Sequence, residues 1–189
     1  MHAIRWTAGL LALTLALAAG PGAAAEPSAG QPGVWKPQSL DFDYMGFTDH
    51  YTCDGLHDRM RVVLRELGAR KDMNVMSYGC SSDSTRRALR EDRFPAAKLD
   101  FAALFPQDAA PAPDAAGDAT AGAWKSVNLV GSGKLDPEEC ELIEQVVREV
   151  LPHFAVRKVE QPQSCVPHQS TRTYALRLEV FAPVTAAAP

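Results

Sequence analysis

The chain has 189 residues, of which 46% are hydrophobic and 22% charged, with a formal charge of −4 and four cysteines. That length suffices for one compact domain or two small half-domains. The mild acidic excess argues against nucleic acid or an anionic membrane surface as the principal partner.

Residues 1–25 read as a signal peptide. Arg5 supplies a short positive start, Leu10 to Ala19 form an apolar run, and Ala23-Ala24-Ala25 offer a small-residue cleavage site before Glu26. The apolar run is shorter than a comfortable membrane span, so no stable membrane insertion is expected after cleavage. Cleavage would remove Arg5 and no acid, leaving 18 basic against 23 acidic residues. Residues 26–33 then read as a disordered N-terminal tail.

Residues 34–106 form a first unit. Trp35 to Tyr44 is expected as a strand. Leu56, Met60, Val63, Leu64 and Leu67 recur at helical spacing after Cys53, with Gly68 placed as a C-terminal cap. A short strand returns at about Lys71 to Met76, a turn carries Cys80, and Lys98 to Leu104 closes the unit. Residues 107–122 (QDAAPAPDAAGDATAG) lack any large apolar side chain and read as a flexible linker.

Residues 123–182 repeat the pattern. Trp124 to Val130 is expected as a strand. Asp136-Pro137-Glu138-Glu139 reads as an N-cap, a first-turn proline and a capping-box glutamate. Ile143, Val146, Val147, Val150, Leu151 and Phe154 then make an apolar stripe that Pro152 helps to stop. Strands follow at about Ala155 to Glu160 and at Thr173 to Phe181, with residues 183–189 as a disordered C-terminal tail. Aligned on Cys53 and Cys140, Leu56 falls on Ile143, Leu64 on Leu151, Arg70 on Arg157 and Lys71 on Lys158, and each unit opens on a Trp-Lys pair. The expected fold is α+β: an internally duplicated β-α-β-β unit giving antiparallel sheet with two helices on one face. A half of this size is marginal alone, so joint burial is favoured.

Four cysteines allow three pairings, and the repeat selects Cys53–Cys80 and Cys140–Cys165. A helix of about four turns and the strand that returns beside it have similar lengths, which brings each pair together. In an exported protein these are structural staples.

Several functional patterns compete with that reading. His50, Cys53 and His57, with Cys165 and His168, form Cys/His clusters that would suit zinc or copper. The repeat keeps the sulfurs and drops the imidazoles: His57 aligns with Glu144, and His168 with Asp83. Gly131-Ser132-Gly133-Lys134 lacks the remainder of a phosphate-binding loop and reads as a turn. No hydrolase signature surrounds a histidine or serine, so no catalytic or cofactor-binding set is assigned. Asp41 and Asp43 alternate with Leu40, Phe42 and Tyr44 and read as the solvent face of a strand. The first unit's helical region carries Arg59, Arg61, Arg65 and Arg70, and the second helix Glu138, Glu139, Glu141, Glu144 and Glu149, which read as solvated faces and permit a complementary contact between the halves or with a partner. The polar turns Ser81 to Arg87 and Val166 to Arg172 would be the place to look for a ligand.

The segments FTDHYTCDGL (47–56), LGAR (67–70), YGC (78–80), WK (124–125), GSGKL (131–135), EECEL (138–142) and CVPH (165–168) resemble an uncharacterised family of exported proteobacterial proteins with four cysteines and no assigned activity. The resemblance implies a periplasmic or secreted location and supplies no catalytic residues. The expected function is non-catalytic binding or interaction in the bacterial envelope, with an unidentified protein or small molecule as partner. A zinc- or copper-binding protein and an exported hydrolase are the alternatives.

Overall fold

The computed structural model describes residues 30–46, 51–79, 95–107, 119–131, 133–161, 165–166 and 174–184. Strand β1 (Gln31–Asp43) leads to helix α1 (Cys53–Glu66), then β2 (Asn74–Tyr78) and β3 (Ala96–Pro106). The second half runs β4 (Ala119–Asn128), α2 (Cys140–Gln145), β5 (Val156–Glu160) and β6 (Arg177–Pro183). All six strands form one sheet in the order β2-β3-β1-β4-β6-β5, and every pairing is antiparallel. The fold is thus α+β, and within each half the strands take the same relative places.

Local chemistry accounts for the first helix. The Thr52 hydroxyl accepts a hydrogen bond from Gly55 N at 3.0 Å, an N-cap. At the other end Gly68 adopts φ +79, Gly68 N donates to Arg65 O and Ala69 N to Leu64 O, the paired bonds of a Schellman cap. Leu56, Met60, Val63 and Leu64 form its buried stripe.

The second helix departs from the expected single α-helix. Residues Asp136 to Glu139 form a turn in which Glu139 N donates to Asp136 O and the Glu139 carboxylate accepts from Asp136 N, half of the anticipated capping box. Regular helix begins only at Cys140, widens to a π-helical turn over Val146–Val150 and tightens to a 3₁₀ turn over Leu151–His153. Pro152 has no N–H for the Arg148 carbonyl and its ring crowds that group, so the winding must change just before it.

Both helices pack on one face of the sheet, and a single cluster of buried side chains joins Leu56, Leu64, Leu142, Ile143 and Val150 to Phe42, Leu99, Val127 and Val180. The halves therefore bury a common core. Oppositely charged groups cross between them: Arg59 Nε lies 2.8 Å from Glu139 Oε1 and Arg59 Nη2 3.1 Å from Asp136 Oδ2, while Lys134 Nζ lies 2.8 Å from Glu66 Oε2. The Tyr51 hydroxyl donates to the same Glu139 oxygen at 2.5 Å. Among the described residues no helix is long and apolar enough to cross a membrane.

Strand boundaries differ from the sequence reading: β2 lies later than Lys71–Met76, and β3 reaches beyond Lys98–Leu104 at both ends. Gln31–Val34, expected in the N-terminal tail or at its margin, pairs with Ala119–Gly122, expected as linker, and this four-residue ladder joins the two halves. Strand β6 extends to Pro183. None of these residues carries a hydrophobic alternation; backbone pairing and a close approach of Phe181 organise them. A Cβ on Gly122 would lie 2.5 Å from the Phe181 ring and one on Gly33 2.8 Å from it, so the ring rests where only glycine leaves room. The rest of the expected linker and the outer parts of both tails lie outside the described residues.

Candidate functional site

The face of the sheet opposite the helices carries the residues that the two halves share most closely. Strand alternation and register place Trp35 beside Leu104 and Trp124 beside Phe181 on this face, while Phe42, Leu99, Val127 and Val180 point to the helices. Trp124 meets Phe181 edge to face, with ring centroids 5.6 Å apart. Leu104 and Phe181 are buried, and both tryptophans are partly exposed. Trp35 Nε1 donates to Thr120 Oγ1 at 2.9 Å, tying the first half to the second across the junction.

The Arg-Lys pairs that end each helix–strand turn come to the same place. Arg157 lies 4.1 Å from the Trp124 ring centroid, and Arg70 lies 5.9 Å from that of Trp35. Each guanidinium is held by a carboxylate. Arg70 Nε and Nη2 each donate to Asp72 at 2.8 Å. Arg157 Nε reaches Glu179 Oε2 at 2.5 Å and Lys158 Nζ reaches Glu179 Oε1 at 2.7 Å. The hydrogen bond from Arg70 holds the Asp72 carboxyl below the usual range, and those from Lys158 and then Arg157 do the same for Glu179.

Beside Arg70 a shallow cleft of about 410 Å³ opens between Pro37, Ser39, Asp72, Asn74, Asp100 and Ala102. Two pairs of its polar groups are matched: Ser39 Oγ donates to Asp100 Oδ1 at 2.6 Å, and Arg70 is engaged with Asp72. Farther along, Asp41 and Asp43 are exposed as expected, and the exposed Tyr78 hydroxyl approaches Asp41 Oδ1 at 3.4 Å. Aromatic rings under paired guanidinium groups are equipped for recognition.

The metal-ligand alternative meets oxidised sulfur. Cys165 is bonded to Cys140, with Cα atoms 5.5 Å apart, and Cys53 is likewise in a disulfide, so neither sulfur is a thiolate in this form. Cys80, His50 and His168 lie outside the described residues. His57 Nδ1 sits 3.0 Å from Asp58 Oδ1 on α1. Among the described residues no three His, Cys, Asp or Glu side chains gather as a metal site. The turns after the second cysteines lie outside the described residues apart from Val166. Lys134 N donates to Gly131 O and Gly131 N to Leu135 O, and the Lys134 ammonium is taken up by Glu66 and by Asn128 O; Ser132 lies outside the described residues.

The second disulfide is braced by a partly buried polar group. Glu144 Oε1 accepts from Cys165 N at 2.7 Å and lies 3.4 Å from the Tyr174 hydroxyl, which also receives a bond from Gln161 Nε2. Burial first, and the neighbouring Glu144 charge second, push the Tyr174 phenol up to about 12. Sequence reasoning noted the Trp-Lys and Arg-Lys pairs as landmarks of the repeat but did not bring them together. The signal was their recurrence at matching distances from the cysteines.

Comparison with family models finds no match. Comparisons with curated proteins and with solved structures find none at a significant level.

Proposed function

We propose that this chain is an exported, non-catalytic interaction protein of the bacterial envelope, a duplicated β-α-β-β scaffold that engages its partner through the sheet face opposite the helices. The observation that carries this reading is the pair of arginine–tryptophan stacks, Arg70 over Trp35 and Arg157 over Trp124, at equivalent places in the two halves. Arginine and tryptophan are the side chains most enriched where interfaces concentrate their energy. A shallow cleft in which Ser39 is bonded to Asp100 and Arg70 to Asp72 suits a macromolecular surface better than an enclosed small molecule. Export is supported by the signal-like residues 1–25 together with disulfide bonding at Cys140–Cys165.

A photo-crosslinking residue at Ser126, exposed on this face, is compared with one at Arg148, exposed on the second helix, in cells that export the chain. Adducts formed from position 126 in clear excess over 148, and lost with Trp124→Ala, support the reading. Equal yields from the two positions, or none from 126, reject it.

A further inference from the structure

The same face is electrically lopsided. Among the described residues, Asp41, Asp43, Asp72 and Asp100 outnumber Arg70 and Lys98 at the first-half end. At the second-half end, Arg157, Lys158 and Arg177 outnumber Glu179 and Glu160. The joining ladder couples only the first residues of β1 and β4, so the two ends project in opposite directions from the junction. Relative to Trp35–Leu104 and Trp124–Phe181, Asp100 and Arg177 occupy equivalent places: each lies four residues along its strand from the apolar pair, on the same face. A carboxylate therefore stands in one half where a guanidinium stands in the other.

A surface with an apolar centre and opposite charges at its two ends is complementary to itself. Turned over about a twofold axis lying between two such faces, the acidic end of one copy covers the basic end of the other, twice, and the arginine–tryptophan stacks, each guanidinium already paired with a carboxylate, meet at the centre. That is the condition for an isologous contact. The edges of the sheet offer a poorer contact on the β5 side, where Lys158 takes φ +51 and the register slips between Arg157 and Glu160.

We propose that the occupant of this face is a second copy of the chain, paired as a twofold, face-to-face dimer in which Asp100 of one protomer lies against Arg177 of its partner. The proposal rests on the reading of this face as the interaction surface and names its occupant.

Sedimentation velocity on the purified, exported chain tests it. The wild type should sediment as a dimer that dissociates as salt is raised from about 0.05 to 0.5 M, across which the screening length shrinks several-fold. Arg177→Asp and Asp100→Arg should each weaken self-association at least about tenfold while keeping the wild-type circular dichroism. Mixed in equal amounts, the two variants should form a heterodimer, because each then meets its complement twice. Should Asp100→Arg fail to fold, Asp43→Arg at the same end takes its place. A wild type that stays monomeric at about 0.1 mM, or variants that dimerise alone as the wild type does, overturns the proposal. The crosslinking above separates the two claims. Adducts from position 126 at twice the chain mass support the dimer. Adducts of another mass from a monomeric chain overturn the dimer and leave the face as an interaction surface, and no excess from 126 removes both.

Discussion

Arg59 Nε lies 2.8 Å from Glu139 Oε1, an ion pair that runs from the middle of the first helix to the residue that precedes the second. The Glu139 side chain is only 8% exposed, and it also accepts hydrogen bonds from Tyr51 and from Asp136 N. A buried carboxylate left without its cation is costly, whereas removing both charges is far less so. Arg59→Met is expected to destabilise the chain by about 1–3 kcal/mol, below the range for fully buried pairs because the arginine is one-third exposed. Arg59→Met with Glu139→Gln should cost less than the sum of the two single changes. Urea unfolding of the four proteins checks both statements, and simple additivity would show the pair to be uncoupled.

The junction between the halves depends on two glycines beneath one ring. Gly122→Ala places a methyl carbon 2.5 Å from Phe181 Cε1 and Cζ, an overlap that a packed aromatic cannot relieve in place. A loss of about 1–3 kcal/mol is expected. Phe181→Leu in the same background should recover part of it, since the shorter side chain vacates that space. Failure of the second change to help would mean that the backbone, not the ring, sets the requirement.

Tyr174 makes stability fall in alkali. Its folded value of about 12 exceeds the ordinary 10.0, so between these pH values the unfolded chain releases a proton that the folded chain retains. The protein binds more protons folded than unfolded there, and stability declines as pH rises through the window. The stabilisation is whole below about pH 10 and the loss amounts to on the order of 2 kcal/mol near pH 12. Tyr174→Phe should flatten this decline, and ultraviolet titration should show one late-ionising phenol that the variant lacks.

The Cys140–Cys165 bond closes a loop spanning 25 residues. On loop-entropy grounds its removal should cost about 3–4 kcal/mol. Cys140→Ala with Cys165→Ala is expected to lower the urea midpoint accordingly. Glu144→Gln, which weakens the brace on Cys165 N while leaving the bond intact, should have a smaller effect. If the cysteine-free protein is as stable as the parent, the bond is not a staple.

The first helix, the presence of a second, the α+β class and the Cys140–Cys165 pairing were legible in the amino-acid sequence, whereas the late start and the π and 3₁₀ winding of the second helix were not. Helices declare themselves through stripes such as Leu56–Met60–Val63–Leu67 and through caps such as Thr52 and Gly68, all within a few turns of one another. The repeat chose among cysteine pairings without any distance. Complementary charge on the helices was also legible, although which residues would pair was not: Arg59 finds Glu139 only because the halves dock. Tertiary structure alone decided that the halves share one sheet. The ladder between Gln31–Val34 and Ala119–Gly122 is built from backbone hydrogen bonds of residues with no hydrophobic pattern, so nothing local announces it. It likewise decided that the tryptophans of β1 and β4 meet the arginines of later segments, because strand register, and not spacing along the chain, determines which side chains share a face.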